Sequence, residues 1–133
     1  MKSIKISIPS LIENIQIIES FIDNAKESFE INDDQYGNIM ISVTECISNA
    51  IVHGNQSDAT KSVQLELQME PGILRCCIED EGNGFDVTQL PDPTAPENLE
   101  KVGGRGIFLM KHLSDEVKFE EGGKKTILSF YLE

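Results

Sequence analysis

The chain has 133 residues and 14.8 kDa, the length of a single domain, with 39% hydrophobic and 26% charged residues. Eleven basic against 23 acidic side chains leave a formal charge of −12 and a pI near 4.5. That balance excludes the basic footprint of a nucleic-acid binder, argues against docking on anionic lipid, and requires any anionic ligand to be met by a cation or a dense local set of donors.

Ile4, Ile6 and Ile8 alternate with Ser3, Lys5 and Ser7, which predicts a half-buried strand ended by Pro9. Ser10 with Glu13 three residues on reads as a capping box. Behind it Leu11, Ile15, Ile18, Phe21, Ile22, Ala25 and Phe29 recur at helical steps and predict a long amphipathic helix over roughly 11–28. Asn32-Asp33-Asp34 supplies the next N-cap, and a second helix follows over roughly 34–54. Its apolar stripe is Ile39, Val43, Cys46, Ile47 and Ala50, and Gly54-Asn55 closes it as a C-cap.

Val63, Leu65, Leu67 and Met69, then Leu74, Cys76 and Ile78, alternate on either side of Pro71-Gly72, so 61–79 reads as a hairpin. Residues 82–104 lose periodicity and hold Pro91, Pro93 and Pro96, the signature of a functional lid. Gly103-Gly104-Arg105-Gly106 opens a short helix over roughly 105–113, with Ile107, Phe108 and Met110 as core candidates. A strand near 116–120, a turn at Gly122-Gly123 and a last strand with Thr126, Leu128, Phe130 and Leu132 on one face complete the chain. The order predicts one α+β domain over 1–133, a two-layer sandwich of a mixed, mostly antiparallel sheet covered by helices.

Cys46, Cys76 and Cys77 are an odd set with two neighbours, not a disulfide framework, and read as small buried hydrophobes in a reducing cytosol. No apolar run approaches the ~18 residues that span a bilayer, and the N-terminus has no continuous apolar segment; both predict a cytoplasmic protein with no membrane partner.

Four elements carry chemistry. On a helical wheel Asn38, Ser42, Glu45, Asn49 and His53 fall within a sector of about 80°. That face holds one acid, amides, a hydroxyl and an imidazole without Lys or Arg, a set suited to a hydrated metal and phosphate, although an ordinary solvated face also fits it. Asp80 is in phase with Leu74, Cys76 and Ile78 and therefore points inward, where a carboxylate needs a donor such as the exocyclic amine of adenine. Gly82 and Gly84 beside it let backbone approach a ligand closely; the bland alternative is a plain turn. Gly103-Gly104-Arg105-Gly106 at a helix start offers free N–H groups and a guanidinium to phosphate. Gly122-Gly123-Lys124-Lys125-Thr126 alone is a hairpin turn and a strand residue.

Taken in order, Glu45-xxx-Asn49-Ala50-xx-His53-Gly54, Asp80-x-Gly82-x-Gly84-Phe85, a Pro-rich gap, Gly104-x-Gly106-Ile107 and Gly122-Gly123-xx-Thr126 resemble the GHKL (Bergerat-fold) ATP-binding superfamily. Within it, the small size, Gly106-Ile107-Phe108-Leu109-Met110 and Asp115-Glu116-Val117 look like the bacterial anti-sigma factor serine-protein kinases.

The resemblance implies ATP and Mg²⁺ as cofactors. Asn49 would be the metal ligand and Glu45 the catalytic base for the attacking hydroxyl. Asp80 would receive the adenine amine, with Thr126 helping to hold a water there. Gly82 and Gly84 would line the adenine pocket, and Gly104, Arg105 and Gly106 would close on the phosphates. Phe85, Gly103, Ile107 and His53 belong to the same nucleotide-binding set, and the ATP lid would run from about 86 to 104. The implied activity is an ATP-dependent protein serine kinase and anti-sigma factor that phosphorylates a STAS-type anti-sigma-factor antagonist in a partner-switching pathway and also holds a sigma factor. The alternative is a nucleotide-gated anti-sigma or adaptor module that transfers nothing. Family members are often homodimers, and the apolar first strand and helix could support one.

Overall fold

The computed structural model describes residues 2–82 and 104–132, and in it the period-two segments become five strands. These are β1 (Lys2–Pro9), β2 (Ser62–Glu70), β3 (Ile73–Glu79), β4 (Glu116–Glu120) and β5 (Lys125–Tyr131). They form one sheet in the order β1-β2-β3-β5-β4. All four pairings among the described strands are antiparallel, so the parallel component expected from the sequence is missing there. The crossover between β3 and β5 is what makes room for a helix and a long connection before the last hairpin.

Helices α1 (Ile15–Ser28), α2 (Asp33–Asn49) and α3 (Gly104–Leu113) supply the second layer. Ile18, Ile22 and Ala25 of α1 and Ile39, Val43, Cys46 and Ile47 of α2 are buried with Val63, Leu65, Leu67, Leu74, Cys76, Ile78, Leu128 and Phe130 of the sheet. Each large aliphatic side chain so buried contributes roughly 1.5–3 kcal/mol. Met110 brings α3 into the same core, and α3 packs along α2. The two-layer α+β sandwich expected from the alternation is therefore present. The opposite sheet face is polar, with Ser3 donating to Glu66 across β1 and β2 at 2.7 Å.

Two local readings change. Ser10 does not cap a helix: a 3-10 turn over Ile12–Asn14 precedes α1, its N-cap is Leu11, and no side chain caps it. The Ser10 hydroxyl instead donates to the Lys61 carbonyl at 2.7 Å. Asn32 does cap α2, its side chain accepting from the Gln35 N–H at 2.9 Å. The second helix is not α-helical to 54: after Asn49 it widens into a π turn over Ala50–Gly54, with the Asn55 N–H bonded back to the Ala50 carbonyl at 2.8 Å. Single π turns of this kind concentrate at functional sites.

Helix α1 ends in a Schellman arrangement. The Ile31 N–H reaches the Lys26 carbonyl at 3.0 Å and the Glu30 N–H the Glu27 carbonyl at 3.3 Å, with Glu30 at φ 53°. Cys46 and Cys76 are buried, whereas Cys77 is half-buried, because neighbours in β3 point to opposite faces and only one of the two enters the core.

Candidate functional site

Asp80 follows the last residue of β3 and continues its inward-facing row, so its side chain enters the space between sheet and helices. It is 8% exposed. Its N–H donates to the Lys124 carbonyl at 2.9 Å, which fixes it against the turn before β5. Its Oδ1 accepts from the Gly82 N–H at 2.8 Å. Its Oδ2 accepts no hydrogen bond among the described residues. Burial holds the carboxyl above the ordinary carboxylate range, opposed by the Gly82 N–H and the charges of Lys124 and Lys61.

The π turn meets this carboxylate. A Cβ on Gly54 would sit 2.4 Å from Asp80 Oδ2, and one on Gly82 would sit 1.6 Å from the Gly54 carbonyl oxygen. Both glycines are thus required by the chain's own close approach, with backbone stacked on backbone where the helix ends against the sheet. From the sequence, the role of Gly82 was to admit a ligand; the structure gives it this packing role as well.

Thr126 lies opposite Ile78 on β5, facing the helices, and is buried. It lies beside the Cys46 side chain of α2, and burial with the nearby charge of Asp80 pushes the Cys46 thiol up to about 12. Cys46, Thr126 and Asp80 therefore form one floor, built from the middle of α2, β5 and the end of β3. Cys46 was read from the sequence only as part of an apolar stripe, and its spacing on the helix carries no sign of this contact.

Glu45 and Asn49 stand one turn apart at the rim of that floor, both partly buried. Among the described residues the Asn49 Nδ2 is buried without a hydrogen-bond partner, as is the Ser42 hydroxyl two turns earlier. A helix face left to water would not bury two unsatisfied polar groups. Turning the Asn49 carboxamide over would put Oδ1 in that buried place, an oxygen lacking a donor, which suits a hard divalent cation. No group of three or more His, Cys, Asp or Glu among the described residues could hold a metal by itself. Asn38 is exposed, and His53, on the π turn, is exposed with its imidazole pushed toward the neutral form by partial burial.

The structure thus brings Asp80, Gly82 and Thr126 to one end of the helix–sheet interface, beside Gly54 and Cys46, and sets Glu45 and Asn49 one turn apart on the helical run that leads there. Gly84, Phe85 and Gly103, and all but the last residue of the lid expected over about 86–104, lie outside the described residues. Gly104, Arg105, Gly106 and Ile107 form the first turn of α3, with the description reaching their helical backbone alone. One residue at this junction was read from the sequence only as part of the Gly54-Asn55 C-cap. Asn55 is 1% exposed, and its side chain joins three segments beside Asp80.

The profile of the histidine kinase-like ATPase domain family matches residues 8–132. Over 130 residues the chain is 25% identical to the serine-protein kinase RsbW of Bacillus subtilis (strain 168), covering 93% of this chain and 81% of that protein. It is 34% identical over 91 residues to the anti-sigma F factor of Geobacillus stearothermophilus, covering 65% of this chain and 61% of the relative. Among solved structures it resembles the RsbU and RsbW domains of Rv1364c from Mycobacterium tuberculosis. There the TM-score is 0.71 at 15% identity, over 99% of this chain and 33% of that longer one, which establishes a shared fold. A match over nearly the whole sequence shows that the chain belongs to the histidine kinase-like ATPase domain family.

Proposed function

We propose that this chain is an ATP-dependent protein serine kinase and anti-sigma factor whose substrate is a STAS-type anti-sigma-factor antagonist. The family match and the similarity to RsbW serine-protein kinases support the kinase class. The observation that carries the site assignment is the buried Asp80 carboxylate packed on Gly54, at the end of the same helical run that presents Glu45 and Asn49. An acceptor in a slot and a polar pair on the adjacent helix suit a nucleotide lying along α2.

In this reading Asp80 accepts the adenine amine, Gly82 and Gly84 flank the base, and Thr126 holds a water beside it. Asn49 would hold Mg²⁺, which when bound neutralises the phosphate oxygens that a protein of charge −12 otherwise repels. Gly104, Arg105 and Gly106 complement the phosphates from the start of α3. Glu45 accepts the proton of the substrate serine as its Oγ forms a bond to the γ-phosphorus; the bond from that phosphorus to the ADP oxygen breaks, and ADP leaves. The chain would act in the cytoplasm, hold a sigma factor or the antagonist according to the antagonist's phosphorylation state, and pair as a homodimer through β1 and α1.

A second reading keeps the anti-sigma role named in the anti-sigma F factor relatives and drops transfer: a nucleotide-gated binding module. Labelled ATP with Mg²⁺ and the cognate antagonist separates the two. The kinase places label on a serine, and Glu45→Ala abolishes transfer while ATP still binds. Transfer retained in Glu45→Ala removes Glu45 from the base role; no transfer by the wild type leaves the binding module.

A further inference from the structure

Asn55 follows the π turn and is fully enclosed, yet every polar atom of its side chain is used. Nδ2 donates to the Ser10 hydroxyl at 2.7 Å and to the Ser62 carbonyl at 3.0 Å. Oδ1 accepts from the Glu81 N–H at 2.8 Å. The backbone N–H closes the π turn on Ala50. The Ser10 hydroxyl has its own proton committed to the Lys61 carbonyl, so toward Asn55 it can only accept. The orientation of the carboxamide is therefore fixed: turned over, it would set donor against donor at Glu81 and acceptor against acceptor at Ser62.

This position needs two donors and one acceptor on a short side chain. Asp lacks the donors, Ser has one, and Gln is a methylene too long for a site 1% exposed. The bond to Glu81 lands on the residue after Asp80 and before Gly82, and Gly82 holds Asp80 Oδ1. On the other side Asn55 is bonded to the turn whose Gly54 packs on the same carboxylate. Glu81 adds a second tie, its side chain accepting from the Ser62 N–H.

We infer that Asn55 is a positioning residue for nucleotide recognition: it locks the end of β3 to the π turn so that the Asp80 carboxylate stays aimed at the base. The inference rests on the proposed role of Asp80 as the adenine acceptor. It makes Asn55 a determinant of base selectivity without contact to the base. Losing it leaves the Glu81 N–H without a partner and frees the 80–82 segment to move off Gly54.

The test compares ATP with ITP, which has a carbonyl where ATP has the amine, by calorimetric titration in Mg²⁺. The wild type should prefer ATP by at least about tenfold, the scale of one hydrogen bond to a charged acceptor. Asn55→Ala should reduce that preference by about tenfold while ITP binding changes little. Ser10→Ala, which keeps the Asn55–Glu81 bond, should lower the melting temperature and leave the preference intact. If Asn55→Ala weakens both nucleotides in the same proportion, its role is structural and the inference is overturned. A wild type that binds neither nucleotide, or both equally, overturns the Asp80 assignment and this inference with it. Should Asn55→Ala not fold, amide exchange in the wild type decides. The Glu81 N–H should exchange far more slowly than an open-loop amide, and exchange at the open rate overturns the Asn55 lock.

Discussion

Asp80 is a carboxylate that folding removes from water, and its neighbours decide what it does there. Burial raises its pKa against the pull of the Gly82 N–H, Lys124 and Lys61. The folded protein therefore keeps this proton to a higher pH than the unfolded chain. Stability from this group is greatest below the ordinary carboxylate value and falls as pH rises through the shifted one. Recognition runs the other way, since only the ionised acid is a full acceptor on both oxygens. The preference for ATP over ITP should rise with pH across that window. It should be flat and small in Asp80→Asn, where nothing titrates. Binding titrations at several pH values read this, and an unchanged slope in Asp80→Asn would remove Asp80 from base recognition. The inward direction of Asp80 was legible from its phase with Leu74, Cys76 and Ile78. The contacts of Asn55 and Cys46 were not, because both depend on segments distant in sequence meeting at one point.

At the scale of elements, alternation and helical spacing located all five strands and the three helices, since a buried face leaves a period in the sequence. The helical run ends at Gly54-Asn55 as the sequence indicates, but its change from α to π after Asn49 was not legible, for a physical reason. A π turn has no side-chain period of its own in five residues, and here it accompanies the packing of Gly54 on Asp80. The Ser10–Glu13 pair failed as a capping box because Ser10 is held by Lys61 and Asn55. The end of α1 offers a separate check on the local account. Glu30 occupies the left-handed position of a Schellman motif at φ 53°, where a side chain costs about 1 kcal/mol. Glu30→Gly should stabilise the protein by up to about 1 kcal/mol in thermal or denaturant unfolding. A loss of stability would show that the Glu30 side chain, not the helix-ending geometry, matters there.

For the whole molecule, charge and fold set opposing demands. A chain of −12 must bind a polyanion, and the described end of the interface offers it polar groups, one buried carboxylate and an unsatisfied carboxamide. The family match covers residues 8–132, and the described residues of the proposed site lie within that span. What the sequence could not convey is how the sheet end and the helix end are joined, since that junction is made by backbone contact and by one asparagine. The most direct test is calorimetric titration of ATP into the purified chain with and without Mg²⁺, repeated with Asn49→Ala. The account predicts saturable, Mg²⁺-dependent binding that is roughly tenfold weaker in the variant, the scale of losing one polar contact to a charged partner. No saturable binding at millimolar ATP with Mg²⁺ present, or an affinity untouched by Asn49→Ala, would contradict it.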